Sequence, residues 1–355
     1  AGGEGTDTLS MSAATAAALD DAAVTFITGF ERLTINDAGK AEKIDLANLG
    51  FTNYVTTTGS IAELNNLGNN GTVVVTTTET ELAVGIKDAA TGKADVLNVL
   101  LSSKDALAGN KLTAANVETL NVTSTDTDKT AHANALEVTA TKATTITVSG
   151  NAGLELTLAE TSTLVTLIDG SASTGGLKAS TSASAAATTI KGGSGADMLT
   201  ANHNQDVLEG GAGKDKLVVA NFANLVTLRG GAGQDTYVIG KASNSNGYAT
   251  IDGAAADLLG DVIQFSLDVK SFSSAKIVLG ATAVFQDYAN EAAKAGPGEE
   301  GSVSWFQWAG DTYLVQDNTT DTASFSNTKD AIVKLVGTSV NFSFNSDAPG
   351  ILEII

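Results

Sequence analysis

Apolar and polar residues alternate along much of the chain in short runs, the two-residue period of strands that bury one face. Between residues 116 and 190 the runs VETLNV, LEVTA, TTITV, LELTL and TLVTLI follow one another, separated by Gly, Asn, Asp or Ser. Taking one inward residue from each gives Leu120, Leu136, Ile146, Leu156 and Leu167, with steps of 10, 10 and 11 residues after the first gap. Alternation within runs and a near-constant step between them predict stacked β coils. A β-sandwich with tight hairpins is the competing architecture; direct continuation into a glycine-rich repeat favours coils. Upstream, GFERLTIND (29–37) reads as a strand with Leu33 and Ile35 on one face, and GTVVVTTTE (71–79) as a β-branched strand. Three stretches predict helices: the Ala-rich residues 12–24, a capping box at Ser60–Glu63 followed by Leu64 and Leu67 and stopped by Gly68, and residues 282–295. The last has Val284, Phe285, Tyr288 and Ala292 on helical spacing and Gly296-Pro297 as a stop. Strand signals follow at 302–317 and 330–337, and the tail alternates Phe342 and Phe344 with polar residues before ending in LEII.

The glycine-rich segment at 192–238 reads GGSGADMLT, ANHNQDVLE, GGAGKDKLV and, after a short insertion, GGAGQDTYV. Three of these blocks fit G-G-x-G-x-D-x-U-x, U being a large apolar residue, and Leu199, Leu208 and Leu217 recur every nine positions. That repeat predicts a calcium-loaded parallel β-roll, six residues of turn and three of strand. Tight turns that aim carbonyls at one ion need positive φ, and the Asp adds a hard oxygen of the kind Ca²⁺ prefers. The candidate ligands are Gly192, Ser194, Gly195 and Asp197; Gly210, Ala212, Gly213 and Asp215; and Gly230, Ala232, Gly233 and Asp235. Two nonapeptides make one coil, so these three loops, 18 and 20 positions apart, stack on one edge. Asp215 then borders both inter-loop sites. The opposite edge receives ANHNQD (201–206) and VANFAN (219–224), which lack the glycines. Asp206 is the one acidic ligand candidate there, and the expectation is one edge filled and the other largely or wholly empty. The opening block GGEGTDTLS adds Gly2, Glu4 and Asp7, the worn block at 92–101 adds Asp95, and the closing strands at 249–253 and 260–265 add Asp252 and Asp261.

Composition narrows the partners. Forty acidic against 20 basic residues give a net charge of −20, which disfavours nucleic acid and anionic membranes and favours divalent cations. There is no Cys, so neither disulfides nor thiol chemistry are available, and no apolar run approaches a membrane span. The chain starts without Met and inside a repeat, as a fragment or processed product would. A search for catalytic constellations is empty. His132 and His203 are the two histidines and neither lies in H-E-x-x-H; residues 192–196 miss G-x-S-x-G by the last position; no phosphate-binding loop is present.

Together with GFERLTI, VETLNVTSTDTDKTAH, VSGNAGLEL, WFQWAGDTYLVQD and DAIVKLVG, the nonapeptides resemble the calcium-dependent RTX surface-layer (S-layer) proteins of Gram-negative alphaproteobacteria. The resemblance spans most of the chain. It implies an extracellular lattice-forming protein exported by a type I system that reads an uncleaved C-terminal signal. Lipopolysaccharide anchoring belongs in that family to a separate N-terminal part that these residues do not contain. It also implies calcium outside the roll, with Asp126, Asp128 and Asp169, beside Asp95, as candidates.

The expectation is an all-β chain of stacked β-roll or β-solenoid strands with RTX calcium loops, a few short helices and a C-terminal β-rich cap. Its segments are 1–58 (an RTX loop and β segment), 59–190 (repetitive strands), 191–265 (the roll) and 266–355 (the cap with its secretion signal). It binds several Ca²⁺ ions and associates with itself laterally, without nucleic acid and without inserting in a membrane. A non-catalytic calcium and secretion module of an RTX exoprotein, or an adhesin, are the alternatives.

Overall fold

A computed structural model describes residues 2–36, 42–51, 53–78, 80–91, 94–128, 132–220, 225–241, 247–294, 300–320, 324–337, 340–344 and 351–355. The chain forms two compact units, residues 1–179 with 183–186, and residues 180–182 with 187–355.

The first unit is a parallel β-solenoid. Successive strands alternate between two sheets, and each pairs in parallel with the strand one coil away. One sheet runs through Thr8–Ser12, Arg32–Asn36, Tyr54–Thr57, Gly71–Val75, Val96–Ser103, Thr119–Asp126, Thr145–Gly150 and Leu167–Ser173. The other runs through Lys43–Asp45, Ile61–Leu67, Glu81–Ile86, Asn110–Ala115, Ala133–Thr139, Gly153–Leu158 and Leu177–Ser180. In most of these strands every second residue is buried, so identical faces stack into columns such as Leu97, Leu120, Ile146 and Ile168. All pairings across residues 119–158 are parallel, which excludes the hairpin sandwich. On the outer face Asn98 donates from Nδ2 to the Asn70 carbonyl and Asn121 donates to Asn98 Oδ1, both at 2.8 Å, so the coils are tied there by side chains as well.

Three sequence expectations change. The capping box does not start a helix, because residues 61–67 are a strand and Ser60 Oγ accepts from Glu81 N at 2.9 Å instead. The three-residue spacing of Ile61, Leu64 and Leu67 comes from two register irregularities in that strand, which turn all three inward. Leu167 is half-buried and its neighbour Ile168 is the core residue, both residues of that pair being apolar. The Ala-rich stretch is helical only over Ala13–Ala18, with Ser12 Oγ capping Thr15 N at 3.1 Å and a 3₁₀ turn at Ala23–Thr25.

The second unit winds in the same manner and then closes with antiparallel strands. One sheet passes through Thr189–Lys191, Val207–Gly213, Thr227–Gly233 and Ala249–Ile251 to Ala331–Leu335, Asp311–Asp317, Ser302–Trp308 and Ser271–Phe272. The second passes through Met198–Ala201, Lys216–Val219, Thr236–Ile239 and Val262–Phe265 to Ile351–Ile354 and Phe342–Phe344. The strand signal at 302–317 is a hairpin, turned at Ala309 and Gly310 with φ of 51° and 92°, the positive pair that tight hairpins require. The helix of this unit spans Phe285–Lys294; the Gly296-Pro297 stop and residues 221–224 lie outside the described residues. Its Ala289, Ala292 and Ala293 pack on Phe306, Tyr313 and Val315, with Tyr248, Phe285, Tyr288 and Trp308 around them. Small helix residues allow close approach to the sheet, and the aromatics fill a core wider than the coils possess.

Truncating a column residue leaves a void that rigid neighbouring coils cannot close. Leu120→Ala is expected to cost about 2–5 kcal/mol in urea unfolding, with calcium present or chelated. A loss below 1 kcal/mol would show that the column relaxes.

Candidate calcium site

The three glycine loops stack on one edge of the second unit. Gly211, Ala212 and Gly213 pair in parallel with Gly231, Ala232 and Gly233. One coil earlier, Gly192 N donates to the Glu209 carbonyl at 2.6 Å and Ala212 N to the Gly193 carbonyl at 2.9 Å. Gly213 and Gly233 have φ of 124° and 141°, and a Cβ there would overlap the carbonyl oxygens of Gly195 and Gly213. Glycine is thus required both by conformation and by space. Ser194 and Ala232 are exposed and Ala212 is half-exposed, and at the two alanines only main-chain carbonyls can be offered to an ion.

Below the loops lies a ladder of aspartates. Asp197 N donates to Asp215 Oδ1 at 2.8 Å, Asp215 N to Asp235 Oδ1 at 2.9 Å, and Asp235 N to Asp261 Oδ1 at 2.8 Å. All four residues are at most 2% exposed. At the ends of the ladder the second oxygen is met by protein: Asp197 Oδ2 accepts from Gly193 N at 2.8 Å, and Asp261 Oδ2 from the Tyr237 hydroxyl at 3.0 Å. In the middle, Asp215 Oδ2 and Asp235 Oδ2 are buried without a hydrogen-bond partner. An orphaned buried carboxylate oxygen is costly and calls for a cation or a proton. Burial pushes Asp215 up to about 7, with the Asp197 and Asp235 charges adding to it; it raises Asp235 and takes Asp261 to about 6.

The residues fit calcium. A Cβ on Gly192 would collide with Asp197 Oδ2 and the Gly210 carbonyl, and one on Gly210 with Asp215 Oδ2 and the Gly230 carbonyl. Carboxylate and carbonyl oxygens therefore converge between loops, an all-oxygen donor set of the kind Ca²⁺ takes. Among the described residues no three His, Asp or Glu side chains form a metal cluster, so the main chain has to supply the remaining donors.

The other candidates divide. At the opening block Asp7 Oδ2 accepts from Gly3 N at 2.6 Å and Asp7 N donates to Glu31 Oε2 at 2.7 Å, repeating the pattern of Asp197; a Cβ on Gly2 would again meet Asp7 Oδ2. Glu4 is exposed at that loop. Asp95 N donates to Glu118 Oε2 at 2.9 Å, and Asp95 Oδ2 is buried and unpartnered like those of Asp215 and Asp235. Glu31 and Glu118 were not among the residues singled out from the sequence. Asp126 Oδ1 accepts from Asp128 N at 2.8 Å, with His132 Nδ1 at 3.7 Å from Asp126 Oδ2, and Asp169 Oδ1 accepts from Ser171 N and Oγ. Asp252 is gripped by Arg229, whose Nε and Nη2 both lie 2.9 Å from its Oδ2. Asp206 is saturated: Oδ1 accepts from Thr188 N, and Oδ2 from Thr181 Oγ1, Asn202 N and His203 N, at 2.7 to 3.2 Å. Without glycines that loop turns N–H groups inward, so its carboxylate serves as a structural tie and not as a ligand.

Residues 182–217 match the family model of the RTX calcium-binding nonapeptide repeat (4 copies). Comparison with curated proteins finds no match. The chain thus carries RTX calcium-binding repeats, and the matched residues hold the first two loops of the aspartate ladder.

Two outcomes follow. Without calcium Asp215, Asp235 and Asp261 have folded-state values above the ordinary carboxylate range, so protons stabilise the fold. That stabilisation is complete below about pH 4 and is lost as pH rises to about 7. Melting in chelator should therefore fall across this window, whereas saturating calcium should abolish or reverse the trend; a flat chelator profile would contradict it. In calcium titrations followed by circular dichroism, Asp215→Ala should raise the calcium requirement. Asp206→Ala should instead lower stability by about 3 kcal/mol to a similar extent with and without the ion. A raised calcium requirement in Asp206→Ala would restore that residue as a ligand.

Proposed function

We propose that this chain is a calcium-dependent structural protein that builds a two-dimensional S-layer lattice on the outside of a Gram-negative bacterium. The observation that carries the reading is that the first unit is itself a solenoid, residue columns and corner carboxylates included, so the coiled scaffold extends far beyond the nonapeptides. Two surface depressions of that unit agree with a non-catalytic role. They lie on the outer face of one sheet, lined by Ser60, Ala62, Glu81, Lys111 and Thr113 in one case and by Lys111, Ala135, Glu137, Glu155 and Thr157 in the other. Among these residues no nucleophile is paired with a base. The extracellular setting agrees with the RTX repeats, which suit a compartment rich in calcium.

Calcium would act twice. A site at 100-fold saturation contributes about 2.7 kcal/mol to folding, so a few sites rival the whole stability of a domain. It also lowers the repulsion among chains of net charge −20, allowing lateral head-to-tail contacts that tile a plane. The resemblance to S-layer proteins noted from the sequence supports the lattice; type I export and self-association belong to the same reading.

Electron microscopy and light scattering of the purified chain test it. Ordered sheets should form on adding calcium and not with magnesium, which is smaller and strictly octahedral. Isolated particles at saturating calcium would favour the secretion-module alternative, and equal assembly in magnesium would show that charge screening alone drives it.

A further inference from the structure

Tyr237 occupies the large apolar position of the third glycine loop, in register with Leu199 and Leu217 of the two loops before it. Its ring is fully buried, yet its hydroxyl reaches the loop edge, accepting from Gly230 N at 3.2 Å and donating to Asp261 Oδ2 at 3.0 Å. The two complete inter-loop spaces share one arrangement. The place a Cβ would take on the first glycine is bounded by that loop's own Asp carboxylate and by the first-glycine carbonyl of the next loop. Around Gly192 these are Asp197 Oδ2 and Gly210 O; around Gly210 they are Asp215 Oδ2 and Gly230 O. Around Gly230 the carboxylate is Asp235 Oδ2, and the second oxygen is the Tyr237 hydroxyl. The phenol stands where a fourth glycine loop would put its carbonyl, and the residues that follow supply Gly260-Asp261 without the preceding glycines.

The two oxygens differ in what they leave free. A loop carbonyl has lone pairs to turn toward an ion. The phenol has committed one lone pair to the Gly230 N–H and its proton to Asp261. Asp261 is thereby satisfied at both oxygens, by Asp235 N and by Tyr237, without a cation. We propose that Tyr237 terminates the calcium ladder, its hydroxyl replacing the next loop at the step between Gly230 and Asp261 so that no ion is held there. The proposal rests on the calcium reading of the glycine loops and sets where their ion row stops.

Removing the hydroxyl tests it. Tyr237→Phe leaves Asp261 Oδ2 without its donor, in a space wider by one oxygen. The full chain, Tyr237→Phe and Asp261→Asn are compared by equilibrium dialysis against radioactive calcium, and by thermal melting in calcium and in chelator. Tyr237→Phe should bind one more ion per chain than wild type, melt earlier than wild type in chelator and recover in calcium. Asp261→Asn should bind as many ions as wild type, because Asp261 is not a ligand. Equal or lower uptake by Tyr237→Phe, or one ion fewer in Asp261→Asn, overturns the termination while leaving the calcium reading in place. Wild-type chain that takes up no calcium overturns that reading and the termination with it. Should Tyr237→Phe fail to fold in calcium, the stoichiometry of Asp261→Asn decides alone.

Discussion

The corner amide that no main-chain carbonyl meets is the constraint on which these coils depend. Strand pairing stops at the corner of a coil, so this N–H lies inside the stack with no ladder partner, and a buried amide must be met. The chain meets it with a side-chain oxygen from the following coil. Asp215, Asp235 and Asp261 do so in the second unit, and Glu31 and Glu118 in the first. Other corners use neutral oxygens: Asn110 accepts from Thr80 N, Asn134 from Leu107 N, Asn151 from Asp126 N and Ser162 from Ala140 N. The choice has consequences. A carboxylate brings a second oxygen and a charge into the stack, whereas an amide or hydroxyl brings no charge. The need for a cation is therefore confined to corners built with acids, and the same solenoid can continue through corners that are indifferent to metal.

How much of this the sequence discloses depends on whether the signal lies in one residue or in a convergence of several. The glycine loops are legible because positive φ and close carbonyl approach leave few substitutes at those positions. The columns are legible from alternation, with Leu167 and Ile168 confused because both are apolar. The role of Asp206 is not legible. Its loop has the acid of a ligand, and only the folded chain shows donors arriving from Thr181, Thr188, Asn202 and His203. Glu31 and Glu118 are less legible because no G-G-x-G precedes either of them. A signal for them existed: Asp7, Glu31, Asp95, Glu118, Asp197, Asp206, Asp215, Asp235 and Asp261 all stand immediately before a strand. The false helix at Ser60 is the converse case, a local capping pattern overridden by pairing on both sides with Lys43–Asp45 and Glu81–Ile86.

Charge on the outer face follows different rules from charge in the ladder. Arg229 reaches Glu209 on one neighbouring coil and Asp252 on the other, each at 2.9 Å and half-exposed, ties that water screens and that add modestly to stability. The ladder acids are buried out of reach of that screening by water. An excess of acid over base across the chain is thus tolerated in two ways, by pairing or hydration outside and by oxygen-rich corners inside. In the second unit the antiparallel closing strands use both devices, Lys334 pairing with Asp311 at 2.9 Å and buried Asp330 accepting from Asn318 N and Ser326 N, and add aromatic packing around Phe306 and Tyr313.

The ladder of the second unit also has an arrow. Each donor belongs to an earlier residue and each acceptor to a later one, from Asp197 to Asp215, Asp235 and finally Asp261. A coil laid down from the N-terminal side exposes an amide whose acceptor has yet to arrive. A coil on the N-terminal side lands on an acceptor set by the coil after it, ending at Asp261, whose strand Val262–Phe265 pairs with Ile351–Ile354. The polarity of one repeated hydrogen bond thus makes the two ends of the ladder chemically unlike, an acceptor edge toward the N-terminal side and a donor edge toward the C-terminal side.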